Sequence, residues 1–334
     1  MLKRMVLHTM KKLLALLMAA IMMVGCLVLT SCNDSAKYTV GIIQLAPHDA
    51  LDAATQGFKD ALVAELGEEN VTFMYQNAQG EATTCTTIVN DFVTKNVDLI
   101  MANATAALQA AANATETIPV VGTSITEYGT ALAIKDFTGT VGTNVTGASD
   151  LAPLDQQAQM VKDLFPEAKT VALLYCSGEP NSDYQVKAVK GHLEALGFTT
   201  EIFPFTDSND VAAVAAAAAA KDVIYVPTDN TAATCTGAIY GAIGDTPVIA
   251  GEEATCKGCG VATLTISYYD LGVATGKMAA KILKEEAKPE DMPIEYAANF
   301  AKKYNASRCA ELNIDTAALD AAGYTVIAGT EVAD

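Results

Sequence analysis

This 334-residue chain predicts two similar α/β lobes, each built on a doubly wound parallel sheet. Three observations carry that reading. From Lys37 onward, short β-branched runs alternate with helical stretches, the pattern of parallel strands joined by crossover helices. The series restarts near Thr170 in the same order, and a repeat held over five elements marks two lobes rather than one long sheet. With 51% apolar and 18% charged residues, the chain can fill two cores and is not disordered.

In order, Thr39–Gln44 reads as a strand and Leu51–Leu66 as a helix stopped by Gly67. Val71–Tyr75 is a strand, Thr83–Lys95 a helix, Val97–Met101 a strand, Ala104–Ala112 a helix and Ile118–Val121 a strand. In the second series Thr170–Tyr175 answers the first strand, and Gly191–Gly197 echoes Ala61–Gly67. Glu201–Phe205, Asp222–Tyr225 and Pro247–Ile249 match the remaining strands, and the alanine tract Ala215–Ala220 supplies a helix that can approach its sheet closely. A last amphipathic helix spans about Asp270–Glu286, where the chain crosses back. The expected divisions are a first lobe over 38–150 with a returning helix at about 270–288, and a second over 151–268 with a C-terminal segment at about 290–334.

The N-terminus reads as an address. Lys3, Arg4, Lys11 and Lys12 precede an apolar run from Leu13 to Leu29, and residues 1–31 hold no acid. Leu29-Thr30-Ser31-Cys32 resembles a bacterial lipoprotein cleavage box, followed at once by polar Asn33-Asp34-Ser35. Met23–Cys26 is a competing box with apolar residues after it, and an uncleaved helix is the alternative. The expectation is a signal over 1–31, lipidation at Cys32, a tether over 32–37 and a body anchored outside the cytoplasm. Acidic residues outnumber basic ones 39 to 21, which excludes nucleic-acid binding and a polybasic membrane-surface role.

In open parallel sheets a ligand lies beyond the carboxyl ends of the strands, so the polar residues there are the candidates. The first lobe offers Gln44, His48, Asn77, Asn103, Thr105, Ser124 and Thr126. The second offers Ser177, Gly178, Glu179, Asn181, Thr228, Asp229, Asn230 and Glu252, with Tyr268 near the last crossover. First-lobe tips carry mostly hydroxyls, amides and helix N-termini, seats for a carboxylate. Second-lobe tips carry acids, seats for an ammonium group. A donor side facing an acid side suits an amino-acid-like zwitterion. Singly, each such Thr or Asn also fits a helix cap.

Val40–Gln44, Tyr75–Gly80, Ala107–Ala114, Ser177–Ser182, Tyr225–Asn230 and Tyr268–Gly272 together resemble the substrate-binding lipoproteins of ABC importers, in particular a family with tryptophan- and aromatic-amino-acid-binding members. The likeness runs from about Tyr38 to Ala301 and departs at Cys176 and in the cysteine-rich stretch after Glu253. It implies a Venus-flytrap fold of the type I periplasmic-binding-protein kind, two lobes joined by a hinge. It also implies no catalysis, no cofactor, and delivery of the ligand to a membrane permease with its ATPase subunit.

No nucleophile–base pair, phosphate loop or metal set accompanies these residues. His8 falls in the leader, His192 reads as a surface residue, and only His48 stands at a strand end. Cys256-Lys257-Gly258-Cys259 has redox or zinc half-site spacing but reads as a Gly-rich loop with no histidine near it. Free thiols and a disulfide, local or to Cys235, both remain open. So do a sugar or nucleoside ligand and a ligand-sensing subunit of a membrane receptor.

Overall fold

A computed structural model describes residues 36–331; the leader, the Cys32 box and most of the tether lie outside the described residues. The first sheet contains β1 (Tyr38–Gln44), β2 (Val71–Asn77), β3 (Leu99–Asn103), β4 (Val120–Ile125) and β5 (Val145–Ser149), in the order β5-β4-β3-β1-β2, all parallel. Its crossovers include α1 (Asp49–Leu66), α2 (Ala82–Thr94) and α3 (Thr105–Ala114), with a short α4 (Tyr128–Ala131) after β4. α5 (Leu154–Leu164) follows the crossing into the second lobe. The second sheet repeats the same winding with β6 (Thr170–Cys176), β7 (Thr199–Phe205), β8 (Val223–Val226), β9 (Val248–Ala250) and β10 (Ala262–Thr265), in the order β10-β9-β8-β6-β7. α6 (Pro180–Ala195), α7 (Val211–Ala218), α8 (Asn230–Thr234), α9 (Thr236–Ile243) and α10 (Glu253–Cys259) connect these strands.

β1 shows why such strands read as unbroken apolar runs: both its faces are covered. Val40 and Ile42 pack with Phe58 and Leu62 of α1, while Ile43 joins Val89 and Phe92 of α2 on the opposite face. The second lobe alternates likewise, Leu173 facing Val189 and Leu193 of α6 and Leu174 facing Val211 and Ala215 of α7.

The returning helix, α11 (Tyr268–Leu283), carries Met278, Ala279 and Ile282 into the first core beside Phe58 and Leu62. Its closeness to α1 needs glycine: a Cβ at Gly272 would lie 2.0 Å from the Ala54 carbonyl oxygen, and one at Gly57 2.1 Å from that of Tyr269. The chain then divides differently from the sequence reading. β11 (Glu295–Tyr296) adds to the first sheet beside β5, so the segment expected in the second lobe from about 290 joins it only from β12 (Ala301–Tyr304). β12 pairs antiparallel with β10, and β13 (Thr325–Val326) completes that edge after α12 (Ala306–Glu311) and α13 (Thr316–Ala321). The lobes are therefore bridged by three passages, near 150–153, 266–267 and 297–300.

Two strands begin and end later than expected, β3 at 99–103 and β4 at 120–125, because their ends are Ala, Asn, Gly and Ser rather than β-branched residues. The Cys256–Cys259 stretch is a helical turn and not the expected loop: the Glu252 carboxylate accepts from the backbone N–H groups of Ala254 and Thr255 and caps α10. All six cysteines among the described residues are free thiols, five of them buried.

Candidate functional site

The carboxyl ends of the two sheets face one another around a small polar cavity. Its walls are His48, Leu51, Ser124, Thr126 and Asp150 from the first lobe, Asn181, Thr228, Asp229, Asn230, Ala233 and Glu252 from the second, and Tyr268 from α11. It encloses about 10 Å³, room for about one water. The two sides touch directly, the His48 Nε2 lying 3.3 Å from the Asn230 Oδ1.

On the first side, β4 ends in a bulge after Gly122 that places Ser124 in the left-handed region, φ +55°. Such a conformation costs a non-glycine residue about 1–3 kcal/mol and is held here by the surrounding fold. It turns Ser124 toward the cavity. Asp150 follows β5 directly, its N–H donating to the Ile125 carbonyl, so the first crossing carries its carboxylate into the gap between the lobes. The Tyr268 hydroxyl donates to its Oδ2 at 3.0 Å. Burial pushes the Asp150 carboxyl up to about 6, against the pull of the Tyr268 and Thr126 hydroxyls beside it.

Eight buried side-chain polar atoms among the described residues have no hydrogen-bond partner, and three of them, His48 Nδ1, Ser124 Oγ and Asp150 Oδ1, belong to this cavity. Unsatisfied buried groups each cost about 1–3 kcal/mol, so their clustering at one place needs a reason.

The second side is organised differently. Asp229 accepts from the Ala232 and Cys176 backbone N–H groups at 2.8 and 2.7 Å, and burial, with the charge of Glu179 adding to it, pushes its carboxyl up. Glu252 is held by the α10 N-terminus. Glu179 lies outside the cavity wall and accepts from the backbone N–H groups of Asn230 and Thr231 and from the side chains of Asn181, Asn230 and Thr231. Five donors fill a carboxylate, which has about four lone-pair positions. Glu179 thus fastens the loop that displays Asp229 and Asn230 and has no capacity left for a ligand.

Nine of the sixteen residues nominated from the sequence line the cavity: His48, Ser124, Thr126, Asn181, Thr228, Asp229, Asn230, Glu252 and Tyr268. The other seven do not. Gln44 and Asn103 fasten the start of α1, Gln44 accepting from Thr55 Oγ1 and Asn103 donating to the Leu51 carbonyl. Asn77 is tied to Tyr75 and Gln79 near the sheet edge, and Thr105 opens α3 as a buried residue. Ser177 donates to the Phe205 carbonyl, and Gly178 shares its exposed turn ahead of Glu179. Sequence reasoning misses Leu51, Ala233 and Asp150. Asp150 has a signal, a polar residue closing Val145-Thr146-Gly147-Ala148-Ser149 at the expected lobe boundary, but that glycine-containing run does not read as a strand.

Three carboxylates, Asp150, Asp229 and Glu252, share the lining with no lysine or arginine. Among the described residues no group of His, Cys, Asp and Glu side chains is arranged to hold a metal ion. The electrostatics therefore favour a ligand that brings its own positive charge.

The family described as ABC transporter substrate binding protein matches residues 39–319. The tyrosine-binding protein of Clostridioides difficile is 31% identical over 302 residues, covering 85% of this chain and 87% of its own. A Streptococcus pneumoniae ABC domain in complex with L-Trp superposes with a TM-score of 0.82 at 33% identity, over 87% of this chain and all of that one. The ligand-free, open structure of a substrate-binding protein with adhesive properties from Clostridium difficile gives 0.67 at 32% identity, over 87% and 99%.

Proposed function

The chain belongs to the ABC transporter substrate-binding protein family, whose members bind and are not enzymes, and on that premise we propose that it captures an amino-acid zwitterion by hinge closure and passes it to a membrane permease. The single observation that carries the reading is the trio of unpartnered atoms on the first-lobe side of the cavity. Asp150 Oδ1 is an acceptor for an ammonium group, while the Ser124 hydroxyl and the His48 ring nitrogen can donate to a carboxylate. Asp229 and Glu252 strengthen the field around the ammonium without giving up their helix caps.

Closure is supported by two facts. The cavity leaves about 10 Å³ with the lobes in contact, so an amino acid enters only when they part. At nearly equal sequence identity, the structure matches the L-Trp complex better than the open, ligand-free relative, 0.82 against 0.67. Ligand contacts on both lobes then stabilise the closed arrangement. The basic, apolar leader and the Cys32 box support attachment outside the cytoplasm by a lipid anchor, within reach of permease and ATPase subunits.

A thermal-shift screen against amino acids, sugars and nucleosides tests the reading. A ligand that binds only the folded state raises its melting temperature. Stabilisation by amino acids, aromatic ones included, is expected. Stabilisation by sugars or nucleosides alone would refute the zwitterion while leaving the family unaffected.

A further inference from the structure

The polar cavity accounts for the two charged ends of an amino acid but has no space for a side chain. A second space adjoins it. Glu252 and Tyr268 wall both, and the second encloses about 440 Å³, within the range of small-molecule sites. A dry cavity of roughly 150 Å³ already accommodates a benzene ring, so this chamber has volume for an indole or phenol.

Its walls come from both lobes. α1 contributes Ala50 and Ala53, α10 contributes Ala254, and the passages and C-terminal edge contribute Ile266, Ala301 and Ala328. The alanines are what keep it open: larger side chains at these positions would fill the space between the lobes. One ion pair between the lobes, Lys257 to Asp49 at 3.5 Å, stands at its edge. A ring held here would be desolvated on closure, at about 25 cal/mol per Å² of apolar surface removed from water. The geometry points to this alanine-lined chamber as the pocket for the ligand's side chain, selecting large aromatic amino acids over small ones. The inference rests on the amino-acid reading above and adds the determinant of size.

The test is calorimetric titration of the full-length protein with L-tryptophan, L-tyrosine and L-alanine, alongside two variants that fill the chamber from opposite sides. Ala53→Phe does so from α1, and Ala328→Phe from an exposed position where folding is not at risk. Expected is an aromatic affinity at least tenfold above that for alanine, falling at least tenfold in each folded variant while alanine binding stays within twofold. Tight aromatic binding that neither variant alters would overturn the chamber's role and leave amino-acid capture standing. Absence of amino-acid binding by the unaltered protein would overturn the capture reading and the chamber with it. A parallel loss of alanine and aromatic binding in Ala328→Phe would show damage to the polar cavity and would also count against the proposal.

Discussion

The two lobes repeat one winding, yet their facing ends satisfy their polar atoms in opposite ways. On the second side Glu179, Asp229 and Glu252 are each held by backbone N–H groups of their own lobe. On the first side His48, Ser124 and Asp150 each keep a buried atom unpaired, and Ser124 is held in a left-handed backbone conformation as well. The same fold therefore hosts one finished surface and one unfinished one. A prefixed array of carboxylates gives a field that needs no rearrangement on binding, whereas unpaired atoms are where a ligand's own hydrogen bonds bring the largest gain.

Asp150 is where this contrast should break most sharply. Asp150→Asn keeps the shape but removes the charge, and losing one partner of a buried charged hydrogen bond costs about 2–5 kcal/mol, roughly thirtyfold or more in affinity by calorimetry. The pH dependence separates binding from folding. Because the carboxyl titrates near 6 instead of its ordinary 3.8, ammonium binding should weaken as pH falls through about 6. The ligand-free protein should behave oppositely. Asp150's contribution to stability is fully present below the ordinary value and is lost as pH rises through about 6. Asp229, also pushed up by burial, contributes with the same sign, so Asp150→Asn should flatten this slope without abolishing it and raise the melting temperature at neutral pH.

The second side should respond in stability before affinity. Glu179→Gln turns an NH₂ group toward the Asn230 and Thr231 donors and leaves some unsatisfied, at a cost of about 2 kcal/mol and a clear fall in melting temperature. Its effect on ligand affinity should remain smaller than that of Asp150→Asn. A larger affinity loss than at Asp150 would reverse the division of labour between the lobes.

How much of this can be read in the residues follows from the same contrast. Strands covered on both faces, such as Val40–Ile43 and Leu173–Leu174, announce themselves by composition. β5 does not, because Gly147 and small residues replace the β-branched pattern, and Asp150 is lost with it. Asp229 and Glu252 are legible as acids after strands, yet their capping role depends on which N–H groups the next helix presents. Glu179 is placed among the ligand contacts for the same reason. Sequence spacing puts a carboxylate at a loop but cannot count the donors that three dimensions bring to it. The glycines of α11 likewise carry no local signal, since their reason is the backbone of α1.

Ser124 tests whether strain and binding are coupled on the unfinished side. Ser124→Gly and Ser124→Ala both remove the hydroxyl, and each should lose about 0.5–1.5 kcal/mol of ligand affinity. They should part in stability, because glycine adopts φ +55° without the Cβ penalty and alanine does not. A higher melting temperature for Ser124→Gly than for Ser124→Ala, with equal affinity loss, is the expected pattern. Equal melting temperatures would mean that the bulge is not strained.

The smallest effect belongs to the outer edge. Lys257 and Asp49 meet at 3.5 Å with side chains 44% and 73% exposed, and a pair so wetted contributes about 0–1 kcal/mol. Lys257→Ala should weaken binding only a few-fold at low ionic strength, through easier opening of the lobes, and the difference should disappear in high salt. The Asp150 effect, sheltered between the lobes, should survive the same salt. If Lys257→Ala instead matched Asp150→Asn, closure would be governed from the rim, and the unpaired atoms of the first lobe would not be the seat of recognition.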